Sequence, residues 1–302
     1  MGAQLRAVRR RIRTVQSTAK ITRAQELIAS SRIIRAQQRV HAAAPYAREI
    51  SRAVEAVVSR SGQIDHPLTR PVEHPTRAAM LILTSDRGFC GGFNSNVLRE
   101  AQGLRALLES ERIEVVPFVA GRKGISWHRF RGREMAGHWS GFSDTPAHVD
   151  ATGITAALLE AYQRPADEGG VDQIHVVYTE FVSMLTQRPV VRRLLPLEVE
   201  ETEEAPPGGP IPIYEFEPSP EDVLNALLPW YVESRLFHAL LDSAAAEIAS
   251  RRRAMKSATD NAHDLIDQLT REANKARQAE ITQEISEIVG GANALAETIS
   301  GS

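Results

Sequence analysis

The chain has 302 residues, 42% of them hydrophobic, and 36 Lys plus Arg against 38 Asp plus Glu, for a formal net charge of −2. That is enough for one large domain or two modest ones with a real core. A single cysteine, Cys90, excludes an internal disulfide and fits a reducing compartment, and no Cys/His cluster has metal-ligand spacing. No stretch approaches the roughly 20 consecutive apolar residues of a membrane-spanning helix, so any membrane association is expected to be indirect or peripheral.

The opening segment is strongly basic. Between Arg6 and Arg60 stand thirteen Arg or Lys and only three acids, Glu26, Glu49 and Glu55. Its Arg-rich start is like a transit peptide, but the periodic pattern runs on unbroken, so a helix of the mature protein is expected; Arg6 also stands where a myristoylation signal wants Ser or Thr. Leu5, Val8, Ile12, Val15 and Ala19 step by three and four like the seam of a coiled coil, and Ala24, Ile28, Ser31, Ile34 and Ala42 prolong the stripe. Pro45 is expected to interrupt this helix, which resumes over 47–59 and stops at Ser61-Gly62. At 1.5 Å per residue, such a run predicts a rod of roughly 60 to 80 Å. Residues 65–76, with Pro67, Pro71 and Pro75, read as a linker.

A different pattern begins at Arg77. An apolar run over 78–86 that ends in polar residues predicts a buried parallel strand, and the turn RGFCGGFN leads into a helix over 95–109. A strand over 113–119, a helical and irregular region over 124–150, a helix over 151–163 and a strand over 173–179 follow. This βαβαβ order predicts a three-layer α/β domain with a parallel sheet. Residues 189–199 and 212–216 are expected to add edge strands, separated by the exposed acidic loop ETEEAPPGGP.

Helical periodicity returns at Glu221 and persists to about Val289, broken only at Pro229. Leu265, Leu269, Ala273, Ala276, Ile281, Ile285 and Ile288 form an apolar stripe on this last helix, and Gly290-Gly291 is expected to end it. About 65 residues of helix would span on the order of 100 Å. The fold class is therefore α/β: a long antiparallel two-helix coiled coil made from the chain ends, with a Rossmann-like domain inserted. The division is 1–62 first helix, 63–76 linker, 77–217 α/β domain and 218–302 last helix.

Three candidate sites are weighed against plainer readings. The turn from Gly88 to Asn94 sits where doubly wound folds bind phosphate, but GFCGGFN matches neither the dinucleotide fingerprint nor a Walker loop. A structural turn is the better reading. Asp86, Arg87 and Cys90 lack a nearby histidine or other general base, which argues against catalysis. Arg251-Arg252-Arg253 and the basic first helix lack interleaved aromatics for base stacking, and Glu280, Glu284 and Glu287 would repel phosphate, so nucleic acid is not an expected partner. His263 reads as a surface residue. The alternatives kept open are a nucleotide-binding α/β enzyme with a helical arm, and a basic coiled-coil nucleic-acid adaptor.

Three blocks carry a more specific message: RRRIRTVQSTAKITRAQELIASSRIIRAQ near the start, LTSDRGFCGGFNSNV in the middle, and AMKSATDNAHDLIDQLTREANKARQAEITQEISEIVGGANAL near the end. Together they resemble the gamma subunits of F-type ATP synthases of bacterial type, in the family's order and over essentially the whole chain. IYEFEPSPEDVLNALLPWYVESRLFHALL is similar to a fourth block. The resemblance implies a non-catalytic rotor: a helical shaft inside a ring of alpha and beta subunits, with the inserted domain against the epsilon subunit and the membrane c-ring. It implies no cofactor or metal, and a peripheral location on the cytoplasmic face of the bacterial plasma membrane. Matched residue by residue, it gives Arg251 and Gln278 the contact with a beta-subunit loop, with Thr282 and Glu284 beside them in the coupling segment; residues 20–27 are the equivalent region of the first helix. Gln25 stands where many relatives carry Met, making that contact polar. The chloroplast-type regulatory insertion with its cysteine pair is absent from the sequence.

Overall fold

The computed structural model describes residues 2–60, 72–165, 168–197, 217 and 219–300. Most of the expected linker, the acidic loop over 198–212 and the extended piece over 212–216 lie outside them. The elements are α1 (Gly2–Arg60), β1 (Arg77–Leu83), α2 (Phe93–Ser110), β2 (Glu114–Ala120), α3 (Arg122–Phe130), β3 (Gly137–Trp139), α4 (His148–Gln163), β4 (Gln173–Phe181), β5 (Gln187–Leu195) and α5 (Pro220–Ser300). The chain divides into two compact units: Ala29–Arg251, and a second that joins Met1–Ile28 to Arg252–Ser302.

The first of these holds a five-stranded sheet in the order β3-β2-β1-β4-β5. β1 pairs in parallel with β2 on one side and β4 on the other, β2 with β3, while β5 returns antiparallel to β4 as an edge strand. Successive side chains of a strand point to opposite faces, and β1 splits its apolar run accordingly. Ala78, Met80 and Ile82 pack against Val97, Ala101, Leu104 and Leu108 of α2. Ala79, Leu81 and Leu83 pack into a larger core with Ile154 and Leu158 of α4, Leu224, Leu228, Val232 and Leu236 of α5, and Val54 and Val57 of α1. Both faces of the sheet are thus covered, which is why β1 is apolar without alternation. The N-terminus of α4 is secured by the Asp150 carboxylate, which accepts the Ala147 N–H at 2.8 Å.

In the second unit α1 contributes buried Leu5, Ala19, Thr22 and Glu26, and α5 contributes Met255, Thr259, Ala262, Leu269 and Ala273. These steps of three, four, seven and, from Leu5 to Ala19, fourteen mark the facing stripes of two paired helices. From Ile281 to Gly290 every residue of α5 is exposed.

Several sequence expectations need correction. Neither Pro45 nor Pro229 interrupts its helix. Each proline removes one backbone hydrogen bond, but apolar packing on both sides of it, Leu228 and Val232 around Pro229, holds the helix across the gap. Gly290-Gly291 does not end α5, which runs to Ser300; Ala292, Ala294, Leu295 and Ala296 are strong helix formers and offset the glycines. The continuation of the first stripe also lies on a different face. Thr22, Glu26, Ala29, Ile33 and Ala36 are buried, while Ala24, Ile28, Ser31, Ile34 and Ala42 are exposed. The true stripe passes through Thr22 and Glu26, two polar residues on the inward face, which breaks its apolar periodicity. The region over 124–150, expected to be helical and irregular, holds most of α3, the short strand β3 and the start of α4.

Candidate functional site

The sheet order reverses between β1 and β4, and in open α/β sheets the crevice at that point, beyond the C-terminal strand ends, is the usual ligand site. Here α5 occupies it. Cys90 and Phe93 of the glycine-rich turn pack with Phe181 from the end of β4 and Ala246 of α5. One turn further on, the Arg251 guanidinium donates to the carbonyls of Arg87 and Gly88, both at 3.3 Å, and to Glu247 at 2.6 Å. A phosphate cradle presents N–H groups; this turn presents carbonyl oxygens to a cation.

The turn is internally braced. The Ser85 hydroxyl donates to the Arg87 carbonyl at 2.7 Å, and the Ser85 N–H donates to Asn94 Oδ1 at 2.9 Å. Phe89 takes a left-handed φ of 61° at the tip and is exposed. Cys90 is 2% exposed, and burial pushes its thiol above the ordinary value, so it is held as a neutral packing group rather than a thiolate nucleophile. Among the described residues no group of three or more His, Cys, Asp and Glu is placed to hold a metal ion.

Glu247, only 1% exposed, lies at the centre of this arrangement. Burial raises its carboxyl above the ordinary range; the Arg251 charge and hydrogen bonds from Arg251 and Ser143 oppose that rise, and Asp144 adds to it. Sequence reading missed Glu247. The signal was there: an acid four residues before Arg251, inside the run SAAAEIAS, forms an i,i+4 pair whose surroundings are too apolar for a surface charge.

The residues singled out by sequence fall in both units. Arg251, its side chain 11% exposed, belongs to the α/β unit and is engaged by Glu247 and the turn. Gln25, Gln278, Thr282 and Glu284 belong to the paired-ends unit, and all four are exposed. Gln278 and Thr282 share one helix face with Lys275, Ala279 and Gln283 around a shallow depression, and the Thr282 hydroxyl donates back to the Gln278 carbonyl at 2.9 Å. His263 is a surface residue, as expected.

Fold and site together define a class: a protein of paired terminal helices carrying a doubly wound α/β domain, whose crevice is closed by the protein's own last helix. A family model described as ATP synthase matches residues 4–295. The ATP synthase gamma chain of Acidothermus cellulolyticus is 60% identical over 298 residues, covering 99% of each chain. That of Thermobifida fusca is 55% identical over 305 residues, covering 100% of each. The chain belongs to the ATP synthase gamma chain family. A solved chain of the Euglena gracilis mitochondrial ATP synthase shares the fold, with a TM-score of 0.67 at 15% identity over 98% of this chain and 95% of that one. Among the described residues no helix is long and apolar enough to cross a membrane.

Proposed function

We propose that this chain is the central-stalk rotor subunit of a bacterial F-type ATP synthase, itself non-catalytic, coupling ion-driven rotation of a membrane c-ring to conformational cycling of the catalytic beta subunits. Its partners in this reading are the alpha and beta subunits, the epsilon subunit and the c-ring, and its place is peripheral, on the cytoplasmic face of the plasma membrane. Family membership sets the enzyme and nucleic-acid readings aside. One observation supports the rotor in particular: Ile281, Ile285, Ile288 and Val289 on α5 are 45%, 56%, 71% and 53% exposed. An apolar stripe of that length, uncovered by the chain itself, calls for other chains around it. Large aromatic anchors are missing from residues 251–300, as suits a surface that must turn against its neighbours rather than dock once.

The mechanism is linkage. An asymmetric shaft presents different faces to three otherwise equivalent sites and biases each toward a different conformation; turning the shaft cycles the biases. In this reading Gln278, Thr282 and Glu284, with Gln25 on α1, are the coupling contacts to a beta subunit, and Arg251 is shared between that contact and the glycine-rich turn. The test is co-purification of the tagged chain from gently extracted membranes of its host. Recovery with alpha, beta, epsilon and c-ring subunits and ATPase activity is expected; recovery alone, with measurable nucleotide binding, would overturn the reading.

A further inference from the structure

The polar groups at the C-terminal end of the sheet form one connected cluster that holds both long helices. The Asp86 carboxylate accepts the N–H groups of Gly141 at 2.7 Å and Ser143 at 3.1 Å through one oxygen, and that of Arg122 at 3.1 Å through the other. The turn after β1 is thereby tied to the loop after β3. From that loop two arms reach out. Asp144 binds Arg32 of α1 at 2.7 Å, with Arg87 at 3.9 Å. Ser143 accepts the Asp86 N–H at 2.8 Å and hydrogen-bonds to Glu247 of α5, which in turn holds Arg251 on the turn carbonyls.

Between these arms α1 and α5 meet through Ala29, Ile33 and Ala36 on one side and Ala245, Ile248 and Ala249 on the other. Such a seam, made largely of alanines, brings two helices close but has few large knobs to resist rotation or sliding, and apolar burial is non-directional. Hydrogen bonds are directional. A buried ion pair adds little net stability, and its best-attested use is to fix register.

We propose that Asp86, Ser143, Asp144 and Glu247 form a polar clamp that sets the rotational register of α1 and α5 on the α/β domain, with Arg32 and Arg251 as the gripped groups. The proposal rests on the rotor reading and deepens it: the clamp is where torque passes from the domain to the shaft without slip. Its members are positioning residues, remote from any chemistry.

The test uses the whole ATP synthase, stalled in one rotational state, with a probe on the α/β domain whose angular fluctuations are followed. Glu247→Gln and Asp144→Asn are each expected to widen the angular variance about two-fold or more at unchanged subunit content. Cys90 and Ala246 already pack together, so adding Ala246→Cys to Glu247→Gln offers a rescue: oxidation should narrow the variance toward the parental value and reduction should restore the excess. A merely structural role would lower the melting temperature without this redox-reversible change. Parental variance in both assembled variants overturns the clamp and leaves the rotor standing. Should Glu247→Gln block assembly, Asp144→Asn carries the test from the α1 side. A parental chain that joins no ATPase overturns both readings.

Discussion

The hydroxyl of Thr259 donates to the hydroxyl of Thr22 at 2.8 Å, joining two residues 237 positions apart. Thr22 donates onward to the Ala19 carbonyl at 3.1 Å, and the Met255 carbonyl lies 2.9 Å from Thr259 as an alternative acceptor. Both threonines are buried, so this relay is a polar fastening within a largely apolar seam that also buries Glu26. Thr259→Val and Thr22→Val are each expected to cost about 1 kcal/mol, because the remaining hydroxyl keeps only its local backbone acceptor. The double variant should cost less than the sum, with a coupling of about 0.5–1 kcal/mol. Urea unfolding of the four proteins measures it; strictly additive costs would show that the two hydroxyls do not work as a pair.

Gln278 is exposed on the helix face that carries the proposed coupling contacts. Truncating it to Ala should leave stability within about 0.5 kcal/mol, as for other surface positions. Coupled ATP synthesis and hydrolysis by the assembled complex should nevertheless fall. Arg251→Ala is the less discriminating variant, since it also strands the buried Glu247 carboxylate and should destabilise the domain by about 3 kcal/mol or more. Parental turnover in the Gln278 and Glu284 alanine variants would remove this segment from the coupling surface.

Burial drives the Asp242 carboxyl up to about 6, with Glu180 adding to the rise and His238, 3.5 Å away, opposing it. A carboxyl that is more basic in the folded state takes up protons on folding, so the parent loses stability as pH rises from about 4 to about 6. Asp242→Asn removes that loss. Between pH 4 and pH 7 the stability difference should therefore shift in favour of the variant by on the order of 2–3 kcal/mol. Melting temperatures across this range decide it, and a difference that does not change with pH would contradict the assignment.

Two glycines should respond in opposite directions to alanine. Gly121 has φ 98°, and a Cβ there would stand 2.1 Å from the Thr84 carbonyl oxygen, so Gly121→Ala should cost about 3 kcal/mol or more. Gly103, on the exposed face of α2, has nothing within 4 Å of the same added atom. Gly103→Ala should stabilise by about 0.5–1 kcal/mol through helix propensity. Thermal unfolding of the pair checks both signs.

What the sequence made legible follows a physical division. β1, β2 and β4 announce themselves because strands buried on both faces must be continuously apolar, and α2 because Val97, Ala101, Leu104 and Leu108 repeat on one face. The helical character of the region over 124–150 was legible, but β3 and the bounds of α3 were hidden because Gly124, Gly132, Gly137 and Gly141 dilute any periodicity over short elements. The buried positions Thr22 and Glu26 and the clamp residue Glu247 were hidden for a shared reason. A polar side chain on an inward face looks, in one dimension, like a solvent-facing one; Glu247 did carry a local sign, its i,i+4 pairing with Arg251 inside an alanine-rich run. Gln278, Thr282 and Glu284 lie on a regular helix with nothing local to mark them, and only the resemblance of their segment to a family pointed there.

The seam between Thr22 and Thr259 also has a timetable. At roughly 5–20 residues per second, the 237 positions that separate them take a ribosome on the order of ten to fifty seconds to traverse. Throughout that interval Leu5, Val8, Ile12, Val15 and Ala19 have been made and their partner has not. The first turns of α1 therefore spend their early life as an amphipathic, Arg-rich segment with its apolar side open, a natural client for a chaperone. The α/β unit can complete its sheet as soon as β5 emerges, but the paired ends can close only near the finish of synthesis.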